Sequence, residues 1–142
     1  TIMKILLAVD GSPYTKKMLA YLTTHEELTV GTHAYSVITV QSALPPRARA
    51  ALGKETVDSY YAEESAKVLD PVCEFLQRHN VTPQRIAKVG PAGEAISKEA
   101  VEGNYDLIIM GTHGHGALGK LVMGSVSTQV LANCSVPVML IR

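Results

Sequence analysis

The residues with the clearest chemical purpose lie in one stretch, Asp106-Leu-Ile-Ile-Met-Gly-Thr-His-Gly-His-Gly-Ala-Leu-Gly-Lys-Leu-Val-Met-Gly-Ser125. Its apolar start reads as a buried strand, and its glycines lead to a serine that opens a helix. Glycine lets the backbone approach a ligand closely, and a helix start presents unpaired N–H groups at the positive end of its dipole. A phosphate cradle is therefore expected, built from backbone N–H groups at Gly114, Gly124 and Ser125 and from the Ser125 hydroxyl. Other chemistries fit less well. His113 and His115 have no Cys or third ligand near them in sequence, so no metal centre is expected. Gly114 to Lys120 matches G-x4-G-K after a strand, but a P-loop next needs Ser or Thr for Mg²⁺, and Leu121 stands there. The turn after the first strand, Gly11-Ser-Pro-Tyr-Thr15, lacks the G-x-G-x-x-G of a dinucleotide fold.

The elements that must hold this stretch can be read in order. Lys4-Ile-Leu-Leu-Ala-Val9 is a continuous apolar run, as in a strand buried on both faces. Asp10-Gly11 ends it. Ser12-Pro13 predicts a helix entry with the Ser12 hydroxyl as N-cap, and a core stripe of Met18, Leu19 and Leu22 that fades near Glu27. Further strands are expected at Ala34 to Val40, Arg85 to Val89, Asp106 to Met110 and Val136 to Ile141. Gln41 to Gly53 reads as a long loop, whose Arg47 and Arg49 are left outside the site. From about Lys54 to His79 the spacing is helical, with Val57, Tyr61, Val68, Leu69, Val72 and Leu76 as its apolar positions. Pro71 is expected to kink it near Asp70, or to divide it into two helices with Asp70 as N-cap. Gly90-Pro-Ala-Gly93 turns into a helix reaching about Gly103. The last helix starts at Gly124 or Ser125.

Strands alternating with helices predict an α/β fold: a five-stranded parallel sheet, helices on both faces, in a Rossmann-like three-layer arrangement. The order 3-2-1-4-5 is expected, with 2-1-3-4-5 as the alternative. In the first order strands one and four are neighbours whose outgoing chains diverge, and ligands bind outside such a switch point. Their carboxyl ends are Val9-Asp10 and Met110-Gly111. Topology and glycines thus name the same crevice.

Composition bounds the partners. The 142 residues, 46% hydrophobic and 18% charged, suit one domain over residues 1–142. Thirteen basic and thirteen acidic residues cancel, so no overall field favours nucleic acid or an anionic membrane. The apolar runs are far shorter than the ~20 residues of a membrane helix, and the first residues read as a strand rather than a secretory signal. A cytoplasmic protein is expected. Cys73 and Cys134 lack C-x-x-C spacing and sit in apolar helical patterns, where reduced thiols act as small hydrophobes.

Gly111, two residues, Gly114, nine residues and Gly124-Ser125 match G-x2-G-x9-G-[ST], and so resemble the nucleotide-binding members of the universal stress protein family. Ile5 to Ser12, Gly90-Pro-Ala with Ile96 and Ala100, Asp106 to Gly114, and Ser135 to Arg142 are similar to blocks of that family, in family order. The resemblance implies an adenine nucleotide in the crevice: ATP, or AMP or ADP, with Mg²⁺ as an optional companion. It implies that Asp10 contacts the nucleoside, that the backbone of Val40 meets adenine, and that Gly111, Gly114, Gly124 and Ser125 contact phosphate and ribose. Val9 and Val126 complete the expected nucleotide-binding set, together with His115. At His115 many relatives carry Arg or Lys, so charge there would depend on pH. A stress-response homodimer is implied, paired through the last strand, Val136 to Ile141; an apolar edge strand invites such pairing.

Binding rather than turnover is the expected activity, and no catalytic residue is assigned. Hydrolysis needs a positioned water or nucleophile, and His113, His115 and Ser125 show no evident base with its orienting partner. A slow ATPase or autophosphorylating enzyme is one alternative. A nucleotide-free dimeric interaction module is the other.

Overall fold

The computed structural model describes residues 2–25, 33–114 and 123–142. Five strands, β1 (Lys4–Ala8), β2 (Ala34–Gln41), β3 (Gln84–Val89), β4 (Leu107–Gly111) and β5 (Val138–Ile141), form one parallel sheet in the order β3-β2-β1-β4-β5. Helices α1 (Pro13–Thr24), α2 (Pro46–Leu52), α3 (Lys54–Arg78), α4 (Ala92–Glu102) and α5 (Ser125–Asn133) connect them. The expected fold class and strand order hold. The alternative order is set aside because β1 lies between β2 and β4, with Ile5 opposite both Tyr35 and Leu107.

Successive side chains of a strand point to opposite faces, so the apolar run of β1 feeds two cores at once. Ile5, Leu7 and Val9 face α1 and α3, under Met18, Leu22, Leu69, Val72 and Leu76. Leu6 and Ala8 face α4 and α5, under Ile96, Ala100 and Val130. Ile5, Leu6 and Leu7 are wholly buried, each contributing about 1.5–3 kcal/mol. The helices lie on both sides of the sheet, and β1 is its spine.

Several local expectations change. Part of the expected loop from Gln41 to Gly53 is helical, as α2. Pro46 occupies the first turn, where a missing N–H costs nothing, and the Arg and Ala residues that follow are good helix formers. Helix α3 runs through Pro71 as one helix, and Asp70 is not an N-cap. Leu69, Val72, Cys73 and Leu76 are buried on either side of the exposed proline, so packing holds the stripe continuous. Asp70 instead pairs with Arg85 of β3.

Strand β5 begins at Val138 rather than Val136. Pro137 cannot donate to the ladder, although its carbonyl accepts from Ile108 N–H at 2.9 Å. Cys73 lies in α3, whereas Cys134 is the C-cap of α5; both are free thiols. Helix α1 ends at Thr24, and Glu27 falls outside the described residues. Among the described residues no helix is long and apolar enough to cross a membrane.

Candidate functional site

Strand β1 delivers Val9 and Asp10 to the carboxyl edge of the sheet, and Gly11 turns the chain with φ +78°, a conformation that favours glycine. Ser12 then takes the N-cap position of α1. Its hydroxyl makes no capping bond and is buried without a hydrogen-bond partner, contrary to expectation. Asp10 instead fixes the turn that leads into the helix. Its Oδ1 accepts from the Ser12 N–H at 2.9 Å and from the Thr15 hydroxyl at 3.0 Å, and its own N–H donates to Thr15 Oγ1 at 3.1 Å. An aspartate bonded to the N–H two residues on is an Asx turn, which shapes the entry into α1, while the Thr15 N–H that a Ser12 side-chain cap could take donates to the Ser12 carbonyl at 3.0 Å.

Strand β4 leaves the sheet beside β1. A methyl group at Gly111 would come within 2.6 Å of Tyr14 Cβ, and one at Gly114 within 2.4 Å of Asp10 Oδ2. None of Gly111, Gly114 and Gly124 has a positive φ; those that do, among the described residues, are Gly11, Gly53 and Gly90. The motif glycines therefore serve close packing rather than left-handed turns. His113 follows, its ring 4.9 Å from that of Tyr14 and its Nδ1 2.9 Å from Thr112 Oγ1.

Helix α5 is pinned to the end of β4 through two successive carbonyls. Thr112 O accepts from Gly124 N–H at 2.7 Å and from the Ser127 hydroxyl at 2.9 Å, and Ser127 also reaches Gly111 O at 3.2 Å. The Gly124 N–H is thus committed within the protein and drops out of the expected phosphate cradle. Helix geometry leaves the N–H groups of Ser125 and the next residues without a carbonyl four residues back inside the helix.

These ends surround a crevice of about 370 Å³ at the switch point between β1 and β4. Its walls include Ala8, Ile38, Val40, Ile96, Met110 and Val126, all apolar, and its polar groups include Asp10, Thr15, His113 and Ser125. Val9, Asp10, Val40, Gly111, Gly114, Gly124, Ser125 and Val126 all line it, so the structure brings together every expected residue that it describes. His115 lies outside the described residues, as do Lys120 and Leu121. Arg49 lines a different hollow, with Ala43, Lys54, Asp58 and Tyr61. Sequence reasoning missed Thr15, Ile38, Ile96 and Ser127 as crevice residues. The signal for Thr15 was its spacing of five from Asp10, which places it on the first turn of α1 facing back to the strand end. Among the described residues no group of three or more His, Cys, Asp or Glu could hold a metal ion.

The model of the universal stress protein family matches residues 1–142. The chain belongs to this family. Universal stress protein Slr1230 of Synechocystis is 32% identical over 142 residues, all of this chain but 43% of that protein, so the chain spans less than half of that relative's length. The solved universal stress protein MJ0577 of Methanocaldococcus jannaschii superposes with a TM-score of 0.82 at 23% identity, over 98% of this chain and 94% of that one. The universal stress protein from Archaeoglobus fulgidus, solved in complex with dAMP, superposes with a TM-score of 0.67 at 21% identity, over 99% and 98%. At these identities the two structures establish the shared fold.

Proposed function

We propose that the crevice binds an adenine nucleotide, ATP foremost with AMP and ADP as variants, and that the chain acts as a regulatory or stress-response binding protein rather than an enzyme. The observation that carries this reading is the meeting of three features at one switch point: an apolar slot, a fixed carboxylate and a helix start. Ile38, Val40, Ile96 and Met110 suit the faces of a base. Asp10 is an acceptor suited to ribose hydroxyls and repels phosphate, which directs the phosphates away from it and toward Ser125. There the N–H groups and dipole of α5 favour negative charge. Mg²⁺ would enter with the phosphates, as it does where substrate oxygens supply most ligands. The dAMP carried by the Archaeoglobus relative supports the same assignment. Homodimerisation through Val136 to Ile141 and a cytoplasmic location belong to this reading.

The test uses purified protein, denatured to release any nucleotide for chromatography, and melting with and without ATP-Mg²⁺. At a hundred times the dissociation constant a ligand specific for the folded state stabilises it by about 2.7 kcal/mol. Ser125 is exposed at the first helical position, so Ser125→Asp is compatible with the helix dipole and repels phosphate. Its melting temperature without ligand should equal or exceed that of the wild type, and its ATP shift should fall by more than half. An unmoved wild-type melting temperature in millimolar ATP and AMP, with no nucleotide released, would overturn the proposal.

A further inference from the structure

Thr15 lines the crevice and is buried, yet its hydroxyl is already committed. It donates its one proton to Asp10 Oδ1 at 3.0 Å and accepts the Asp10 N–H at 3.1 Å. A hydroxyl has one donor, so Thr15 has none left to offer a ligand. Its two bonds instead clamp a single residue by main chain and side chain together. With Oδ1 shared between Thr15 and the Ser12 N–H, rotation of the carboxylate would break two bonds, and Oδ2 lies where a methyl added at Gly114 would come within 2.4 Å of it.

We propose that Thr15 is a positioning residue for the nucleoside end of the crevice. It fixes the rotamer of Asp10 and thereby sets nucleotide affinity without touching the nucleotide. The inference rests on the adenine-nucleotide reading of this site. The chemistry required of the ligand is a sugar hydroxyl donor, which an oriented carboxylate distinguishes from a ligand lacking one. Loss of the clamp removes one of the two bonds to Asp10 Oδ1 described above and leaves the Asp10 N–H without this acceptor, so the carboxylate is held less firmly.

The experiment measures Kd for ATP by equilibrium dialysis in wild type, Thr15→Val, Thr15→Ser, Asp10→Ala and the Asp10→Ala/Thr15→Val pair. Site-resolved amide exchange at Asp10 is measured on the ligand-free proteins. Valine keeps the shape of threonine and removes both bonds; serine keeps both. Thr15→Val is expected to weaken binding roughly tenfold, the scale of a lost hydrogen bond to a charged group, and to accelerate exchange of the Asp10 N–H. Thr15→Ser restores both. On the Asp10→Ala background Thr15→Val changes Kd less than about twofold, because residues that act through one another are not additive. A merely structural role predicts the same loss on both backgrounds, and that result overturns the proposal. So does wild-type binding that Thr15→Val leaves unchanged. Absence of binding by the wild type overturns the nucleotide reading itself, and this proposal with it; unchanged Asp10 exchange in Thr15→Val shows separately that no clamp exists.

Discussion

At the scale of single residues, the glycines of the motif divide by what their missing side chain leaves room for. Gly111 adjoins the first turn of α1, where an added methyl would lie 2.6 Å from Tyr14 Cβ and 3.3 Å from the His113 carbonyl, both poorly able to move. Gly111→Ala is therefore expected to destabilise by about 1–3 kcal/mol, as overpacking does. Among the described residues Gly114 adjoins only Asp10, at Oδ2 and Cγ. A side chain can swing where a backbone cannot, so Gly114→Ala should cost less stability while displacing the carboxylate. Urea unfolding and ATP titration on the two variants check this: Gly111→Ala should lose more stability, and Gly114→Ala more affinity relative to its stability loss. Equal profiles would remove the distinction. The positions of these residues were legible because Gly-x2-Gly spacing after a buried strand has few structural uses. Their reason was less so, since sequence alone cannot separate a glycine needed for its φ from one needed for space. Ser12 shows a related limit: the N-cap position was legible, but whether its hydroxyl or its carbonyl takes the Thr15 N–H was decided by geometry.

Between elements, the site depends on how firmly α5 is held to β4, and one serine carries much of that. Ser127 is buried, with its hydroxyl donating to Thr112 O at 2.9 Å and Gly111 O at 3.2 Å. Ser127→Ala is expected to cost about 1 kcal/mol, since Thr112 O keeps its bond from Gly124 N–H and is not orphaned. The urea midpoint should fall with the slope unchanged; no change in midpoint would show that the Gly124 bond suffices. Ser127 was illegible as an anchor because its acceptors lie fifteen and sixteen residues away. Elements whose signal is local were read well: the continuous apolar run of β1 required a sheet covered on both faces. Those that depend on packing were read poorly. Pro45-Pro46 and Pro71 look alike as breakers in sequence, yet one proline starts a helix and the other sits within a helix kept intact by buried neighbours.

For the whole molecule, stability should depend on pH at the alkaline end. Burial pushes the Cys73 thiol above its ordinary 9.0 and the Tyr35 phenol above its ordinary 10.0. Both groups keep their proton in the folded state at pH values where the unfolded chain has released it. The unfolded state then binds fewer protons, so stability falls as pH rises through about 9 and beyond, and is fully present below that. In reductant, the urea midpoint should drop between about pH 8 and 10, and Cys73→Ala, less stable at pH 8 through its cavity, should show a shallower drop. Parallel slopes for the two proteins would exclude the thiol as the cause. The proposed dimer concerns the same scale and has its own geometry. Pro137 O and Ile141 O both accept from the β4 side, so alternation along the ladder turns the N–H and C=O of Val138 and Leu140 to the open edge. An edge whose backbone groups meet no partner among the described residues, on a half-buried apolar strand, is a template for a second copy, and two-fold pairing would satisfy both copies at once. Wild type at micromolar concentration should sediment at twice its 15.2 kDa mass. Leu140→Pro removes an outward donor while sparing the bonds to β4, and should sediment as a monomer with its circular dichroism retained. A wild type that is monomeric at that concentration, or a proline variant that still pairs, would place the interface elsewhere or abolish it.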